Sequence, residues 1–204
     1  MPLMNSGNHA ITTLLLVRHG ETDWYRQGRY DGHTDLRLNA AGRAQAKAVA
    51  RWLAVPRCQA IVSSPLARAW ETAQVLAEHT RVRAISTDDD LIERGYGEAE
   101  GLTITDRLLR WPEGNWPGLE ELLDVQDRAL MSLMQIASAH GGQRVAVITH
   151  NGVINAVLTY LSQGRVGIGK TTLHSGGITT LIHDADGLRI DSVNQTPHMP
   201  GIPT

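Results

Sequence analysis

Residues 14–22 read LLLVRHGET. Four apolar residues run straight into Arg18 and His19, two groups that are costly to bring near a core. The run from Thr13 to Val17 is short and apolar at every position, so it suits a strand covered on both faces in the middle of a mostly parallel sheet. Such a strand ends where open α/β sheets bind ligands, beyond the carboxyl ends of the strands. An Arg-His pair at that point is therefore a candidate site as well as a fold marker.

The same layout recurs along the chain. Asn39 reads as the N-cap of a helix through about Ala54, with Ala46, Val49, Ala50 and Leu53 on one face. Ala60–Val62 reads as a second strand, followed by Ser64 as a cap and Pro65 in the first turn of a helix to about His79. Val82–Ile85 is a third apolar piece. Residues 87–117 form a long irregular stretch with one short helix around Asp106–Trp111, and connections of that length usually serve as lids or binding loops. A periodic helix is expected over Leu119–His140, stopped by Gly141 and Gly142. Val145–Ile148 is another buried strand, with a helix from about Gly152 to Leu161. Strands at Ile178–Ile182 and Leu188–Val193 close the chain around a turn at Asp184–Gly187. Alternation of strands and helices predicts a three-layer α/β/α sandwich with a mostly parallel central sheet.

The chain has 204 residues, 42% hydrophobic and 20% charged, with a formal net charge of -2. One domain spanning 1–204 is expected, with 1–12 as a flexible N-terminus and 195–204 as an extended, Pro-rich tail. The charge balance offers no basic field for nucleic acid and no polybasic run for a membrane. A single cysteine, Cys58, gives no internal disulfide and reads as a small buried hydrophobe in a reducing compartment. The first dozen residues lack the cationic start and apolar stretch of a secretion signal, and the reading is cytoplasmic.

Three strand ends carry related chemistry. The first ends at Arg18-His19-Gly20, the second at Ser63-Ser64 with Arg68 one turn into the next helix, and VAVITH ends at His150 before Asn151-Gly152. Guanidinium forks match phosphate oxygens, and a neutral imidazole is a competent nucleophile near pH 7. Phosphoryl transfer would add an acid for the leaving oxygen. Metal ligands are not evident: Asp88–Asp90 lacks the spacing of a calcium loop and reads as a solvated turn.

The blocks LLLVRHGETDW, SSPLARAWETA, LIERGYGEAEG and ITHNGV resemble, in order, the four signature blocks of the histidine phosphatase superfamily, the phosphoglycerate-mutase-like family, in its compact bacterial branch. PGLEELLDVQDRA resembles that branch's usual helix, and the resemblance runs from about Leu14 to Asp184. It implies that His19 is the residue phosphorylated, with Arg18, Arg68 and His150 around the phosphoryl group. It implies Glu93 as the proton donor and later the base; Glu98 and Glu100 read as structural or solvated, with Glu98 as a fallback for the acid. Gly20 would turn the chain and orient His19 through its carbonyl, while Thr22 and the Asn151 backbone would donate to the phosphoryl group. The family commonly carries Asn after the Trp of the first block; here that residue is Tyr25.

The resemblance covers phosphatases and mutases. The segment from Glu93 to His150 is short and so is the tail, which favours an open pocket and hydrolysis of a small phosphorylated metabolite, with no metal and no cofactor. Mutase activity is the second reading and a catalytically silent phospholigand-binding module the third. Tyr25 is a candidate to contact a substrate. Arg26, Arg29 and Arg94, in loops near the site, read either as binders of a second anionic group or as solvated surface charges. Trp111 and Trp116 in the irregular stretch read either as substrate contacts or as anchors of the loop. His9, His33, His79, His140, His174, His183 and His198 read as surface or packing residues.

Overall fold

The structure, a computed structural model, describes residues 10–196. Six strands form one sheet: β1 (Thr12–Arg18), β2 (Ala60–Ser63), β3 (Ile85–Thr87), β4 (Arg144–Thr149), β5 (Ile178–Asp184) and β6 (Gly187–Gln195), in the spatial order β3-β2-β4-β1-β5-β6. The four strands from β3 to β1 are parallel; β5 and β6 extend the sheet antiparallel. The expected three-layer sandwich is present, with a mixed, mostly parallel sheet.

Alternation along β1 divides the core. Leu15 and Val17 face a cluster built on α2 (Ala40–Leu53) and α3 (Ala67–Thr80), while Leu14 and Leu16 face α5 (Leu122–Ala139) and α6 (Asn151–Leu161). All four are at most 1% exposed, and each fully buried aliphatic side chain contributes about 1.5–3 kcal/mol. Cys58 lies in the first of these clusters and is fully buried, which pushes its thiol pKa up. Two short helices, α1 (Asp23–Arg26) and α4 (Ile104–Arg110), sit in the connections. Among the described residues no helix is long and apolar enough to cross a membrane.

Several boundaries differ from the sequence reading, each for a local reason. Thr12, expected in a flexible terminus, opens β1, and its hydroxyl donates to the Ala137 carbonyl. Gln195, expected in the tail, closes β6. Residues 1–9 and 197–204, with His9 and His198, lie outside the described residues. Ser64 does not cap α3: that helix begins at Ala67 with Leu66 at the cap position, and the Ala67 N–H is met by the Asp35 carboxylate. Arg81 ends α3 in a left-handed conformation, so β3 starts at Ile85 rather than Val82. α5 starts at Leu122 because Glu120 is held outside the helix, its N–H on the Gly95 carbonyl and its carbonyl on Arg94. Residues 87–117 carry single 3-10 turns at Asp89–Leu91 and Gly97–Ala99 as well as α4.

The loop after β1 is pressed against the start of α2. Asn39 caps that helix by accepting from the Gly42 N–H, and its own side-chain amide donates to Glu21. Gly20 is not in a left-handed conformation. Close approach explains the residue: a methyl at Gly20 would overlap the Gly42 carbonyl, and one at Gly42 would overlap the Glu21 carbonyl. Gly42→Ala should therefore destabilise the fold by about 1–3 kcal/mol and lower the melting temperature by several degrees. Gly141→Ala, with open space at its Cβ, is the control and should change it little. Equal melting temperatures for the two variants would contradict the close packing.

Candidate active site

The parallel register brings three strand ends level, pairing Arg18 with Thr149 and Ser63 with Ile148. His19 and His150 therefore leave neighbouring strands side by side, with ring centroids 5.0 Å apart and planes at 61°. Both are buried, at 2% and 0% exposure. His19 Nδ1 lies 2.7 Å from the Gly20 carbonyl. A carbonyl only accepts, so Nδ1 carries the proton and Nε2 keeps its lone pair. Burial first, then the Arg68 and Arg18 charges, push the His19 pKa well below the usual histidine value. The same forces, with His19 itself, lower that of His150. Both rings stay neutral near pH 7.

Arg68 projects from the first turn of α3 and has no exposed surface. Its Nε donates to His19 Nε2 at 3.2 Å, and its two terminal nitrogens donate to the carbonyls of Thr34 and Gly32 at 2.9 and 2.6 Å. The Asp31 carboxylate stands 4.0 Å from the guanidinium. Arg18 donates to the Leu173 carbonyl and lays its guanidinium over the Tyr25 ring, 4.1 Å from the centroid. Tyr25 thus presents its face to a cation where the family's Asn would present an amide, and a cation over a ring face is held by the ring's quadrupole. Two buried nitrogens at this rim, Arg18 Nε and His150 Nδ1, have no partner among the described residues.

Glu93 reaches the rim from the irregular stretch. It is 5% exposed and accepts from the backbone N–H groups of Arg94 and Gly152, at 2.8 and 3.0 Å. Burial outweighs the Arg68 charge and these hydrogen bonds, so its pKa is raised and the protonated form is favoured. Gly152 has no side chain for this reason: a methyl there would stand 2.5 Å from the carboxylate. A cavity of about 150 Å³ is lined by Arg18, His19, Glu93 and Asn151 together with Tyr25, Tyr30, Asp31, Tyr96 and Ile104, while Arg68 and His150 lie buried outside its lining.

The remaining candidates divide. Asn151 lines the cavity at the start of α6, with its side-chain oxygen taken by Asn155. Thr22 points its hydroxyl at Asp31 and caps α1, so its donor goes to a carboxylate. Arg29 lines the cavity but donates to the Gly101 carbonyl and Gln27. Arg26 pairs with Asp23 on the surface, and Arg94 is tied to the Glu120 carbonyl beside a neighbouring hollow. Glu98 is exposed and paired with Arg110, away from the cavity. Glu100 holds the loop at His33 and Thr34 through their backbone N–H groups. Trp116 donates to the Tyr96 carbonyl and stands 6.1 Å from Trp111, so both anchor the loop. Asp88, expected in a solvated turn, accepts from the Ser132 hydroxyl and the Asp90 N–H. Among the described residues no group of three or more His, Cys, Asp or Glu side chains could hold a metal ion.

Four contributors carry no signal in the sequence. Asp31 faces Arg68, Ser64 meets His150 Nε2 at 2.7 Å, and His33 bonds the Glu93 carbonyl at 2.7 Å. Arg128, on α5, donates to the carbonyls of Asp90, Ile92 and Glu93 and so fixes the strip that carries the Glu93 carboxyl. Each acts through backbone or tertiary contacts that no local spacing encodes.

The raised pKa of Glu93 has a consequence for stability. Between the ordinary carboxylate value and the raised one, the unfolded chain gives up a proton that the folded chain retains, so stability falls as pH rises through that window. Glu93→Gln removes this dependence. The variant should gain stability over the parent at pH 8, with the gain shrinking toward pH 4, as measured by denaturant unfolding. A loss at pH 8, or the same gain at both pH values, would contradict the buried, protonated carboxyl.

Comparison with known proteins places the chain in a family. The family model described as histidine phosphatase superfamily (branch 1) matches residues 14–196. An uncharacterized phosphatase, PhoE, of Bacillus subtilis (strain 168) is 34% identical over 94% of this chain and 98% of its own. A metal-independent phosphoserine phosphatase of Arabidopsis thaliana is 36% identical over 75% of this chain and 70% of its own. Among solved structures, YhfR of Bacillus stearothermophilus superimposes with a TM-score of 0.84 at 26% identity, covering 92% and 98% of the two chains. With the family model matching residues 14–196 and phosphatase-named relatives along most of its length, this chain belongs to branch 1 of the histidine phosphatase superfamily, as an enzyme of its phosphomonoesterase kind.

Proposed function

We propose that this enzyme hydrolyses small phosphate monoesters by passing the phosphoryl group to His19 Nε2 and then to water. The observation that carries the reading is the pair of buried, unpartnered nitrogens, Arg18 Nε and His150 Nδ1, beside a histidine whose Nε2 lone pair is held in place by Gly20. Buried polar groups are normally satisfied, and an anionic oxygen at this rim would satisfy both.

In the first step His19 Nε2 attacks phosphorus as the ester P–O bond breaks. The electron pair leaves on the alcohol oxygen, which takes the proton of Glu93. Arg68 Nε, which caps the Nε2 lone pair in the resting site, transfers its hydrogen bond to a phosphoryl oxygen as the nucleophile engages. In the second step the Glu93 carboxylate takes a proton from water, the water oxygen attacks phosphorus, and the P–N bond breaks with its electron pair returning to Nε2. Alcohol and phosphate are the products. Preorganised donors around the phosphoryl oxygens supply the charge stabilisation that such transfers need.

Hydrolysis is favoured over return of the phosphoryl group to a second substrate position because the cavity rim is open: Tyr25 is 40% and Ile104 is 55% exposed. The silent-module reading loses its one support, since Tyr25 backs Arg18 instead of replacing the site's chemistry. The relative whose name gives it as a phosphoserine phosphatase supports a small phosphorylated metabolite as substrate.

The acid's role sets the test. An alkyl phosphate needs its leaving oxygen protonated, whereas p-nitrophenolate is a stable anion and hardly does. Glu93→Gln should lose on the order of a hundredfold or more in kcat/KM on phosphoserine and about tenfold or less on p-nitrophenyl phosphate, both in excess chelator. Equal losses on the two esters would remove Glu93 from proton transfer, and no turnover of any ester by the parent enzyme would end the phosphatase reading.

A further inference from the structure

We propose that Ser64 is a positioning residue that holds His150 in the tautomer with its proton on Nδ1, which gives the ring a donor for the incoming phosphoryl group. What that donor does rests on the phosphatase reading; the tautomer itself does not.

Ser64 is fully buried at the end of β2, and its N–H donates to the Ile148 carbonyl at 2.9 Å, which pins it against β4 two residues before His150. Its hydroxyl oxygen lies 2.7 Å from His150 Nε2. The Leu66 N–H also approaches that oxygen, at 3.4 Å, and a backbone N–H can only donate. One Oγ lone pair therefore faces Leu66, and the hydroxyl proton is left to find an acceptor. His150 Nε2 is the one acceptor given to it among the described residues.

Two arrangements of protons are available to a neutral ring. If Nε2–H donated to Ser64, the hydroxyl proton would be buried without an acceptor and a bare Nδ1 would be buried without a donor. If Ser64 donates to Nε2, only the Nδ1–H lacks a partner. The second arrangement leaves one unmet group in place of two, and unmet buried groups are costly. It also suits the ligand, because phosphoryl oxygens accept from an N–H and are repelled by a lone pair. The doubly protonated ring is disfavoured by burial and by the charges of Arg68 and Arg18. Ser64 thus fixes, through its hydroxyl, which His150 nitrogen is a donor.

Histidine-selective 15N NMR reads this directly in the resting protein at pH 7.5, with His150 assigned by its absence in His150→Gln. The expected spectrum has His150 Nδ1 protonated and Nε2 bare. In Ser64→Ala the proton should move to Nε2 or exchange between the two nitrogens. Vanadate affinity and kcat/KM should both fall about tenfold, a factor that corresponds to about 1.4 kcal/mol. Ser64→Cys, close in volume with a weaker donor, should fall between, and serves with the wild-type spectrum where the alanine variant does not fold. A wild-type His150 protonated on Nε2 would overturn the inference, as would a Ser64→Ala protein with unchanged tautomer and vanadate affinity. Normal ester hydrolysis with an Nε2–H ring sinks this inference alone. An Nδ1–H ring in a protein that hydrolyses no ester sinks the phosphatase reading and leaves the role of Ser64 standing.

Discussion

A guanidinium with no exposed surface is the constraint around which this protein is arranged. Arg68 sits between the first turn of α3, the end of β1 and the 31–35 loop. A buried cation must be surrounded by acceptors or it costs several kcal/mol. The loop supplies them, through the carbonyls of Gly32 and Thr34 and the nearby Asp31 carboxylate, while Nε points at His19. The same contact that satisfies Arg68 therefore places a cation beside His19, and the Asp35 carboxylate of that loop caps α3. Folding of the loop, start of the helix and charge of the site are one arrangement.

Around that cation the titratable groups are pushed in opposite directions by one cause. Burial lowers the pKa of His19 and His150 and raises that of Glu93. A neutral imidazole and a carboxyl held above the ordinary carboxylate range suit a nucleophile and an acid. Burial thus moves both kinds of group, and the helix N-terminus at Gly152 holds the carboxyl through a backbone N–H. Tyr25 adds a feature of this chain: its ring supports Arg18, so the guanidinium is held from its face and by Leu173 while Nε has no partner among the described residues.

Much of this was legible in the sequence because strand ends are local features. The apolar runs before Arg18, Ser63 and His150 marked both the sheet and its functional rim, and Asn39 marked the start of α2. Contacts that depend on the folded loop were not legible. Ser64 looked like a helix cap because Ser before Pro usually is one; Asp35, distant in sequence, took the N–H of Ala67, the first helical residue, instead. Thr22 looked like a phosphate donor, yet Asp31 claimed its hydroxyl. His33 had no motif around it, and its use, a hydrogen bond to the Glu93 carbonyl, exists only once the 87–117 stretch has folded over the 31–35 loop. Arg29 and Arg94 were read as anion binders from their charge alone, while the structure gives each a carbonyl to hold.

The central claim is that His19 Nε2 carries the phosphoryl group between ester and water. Rapid acid-free quenching of the enzyme during turnover of a 32P-labelled ester tests it most directly, followed by mapping of the labelled peptide. The account predicts label that is lost in acid, survives base and maps to His19, with no labelling and no turnover in His19→Ala. Label on another residue, or a His19→Ala protein that turns over at a rate near the parent's, would contradict it.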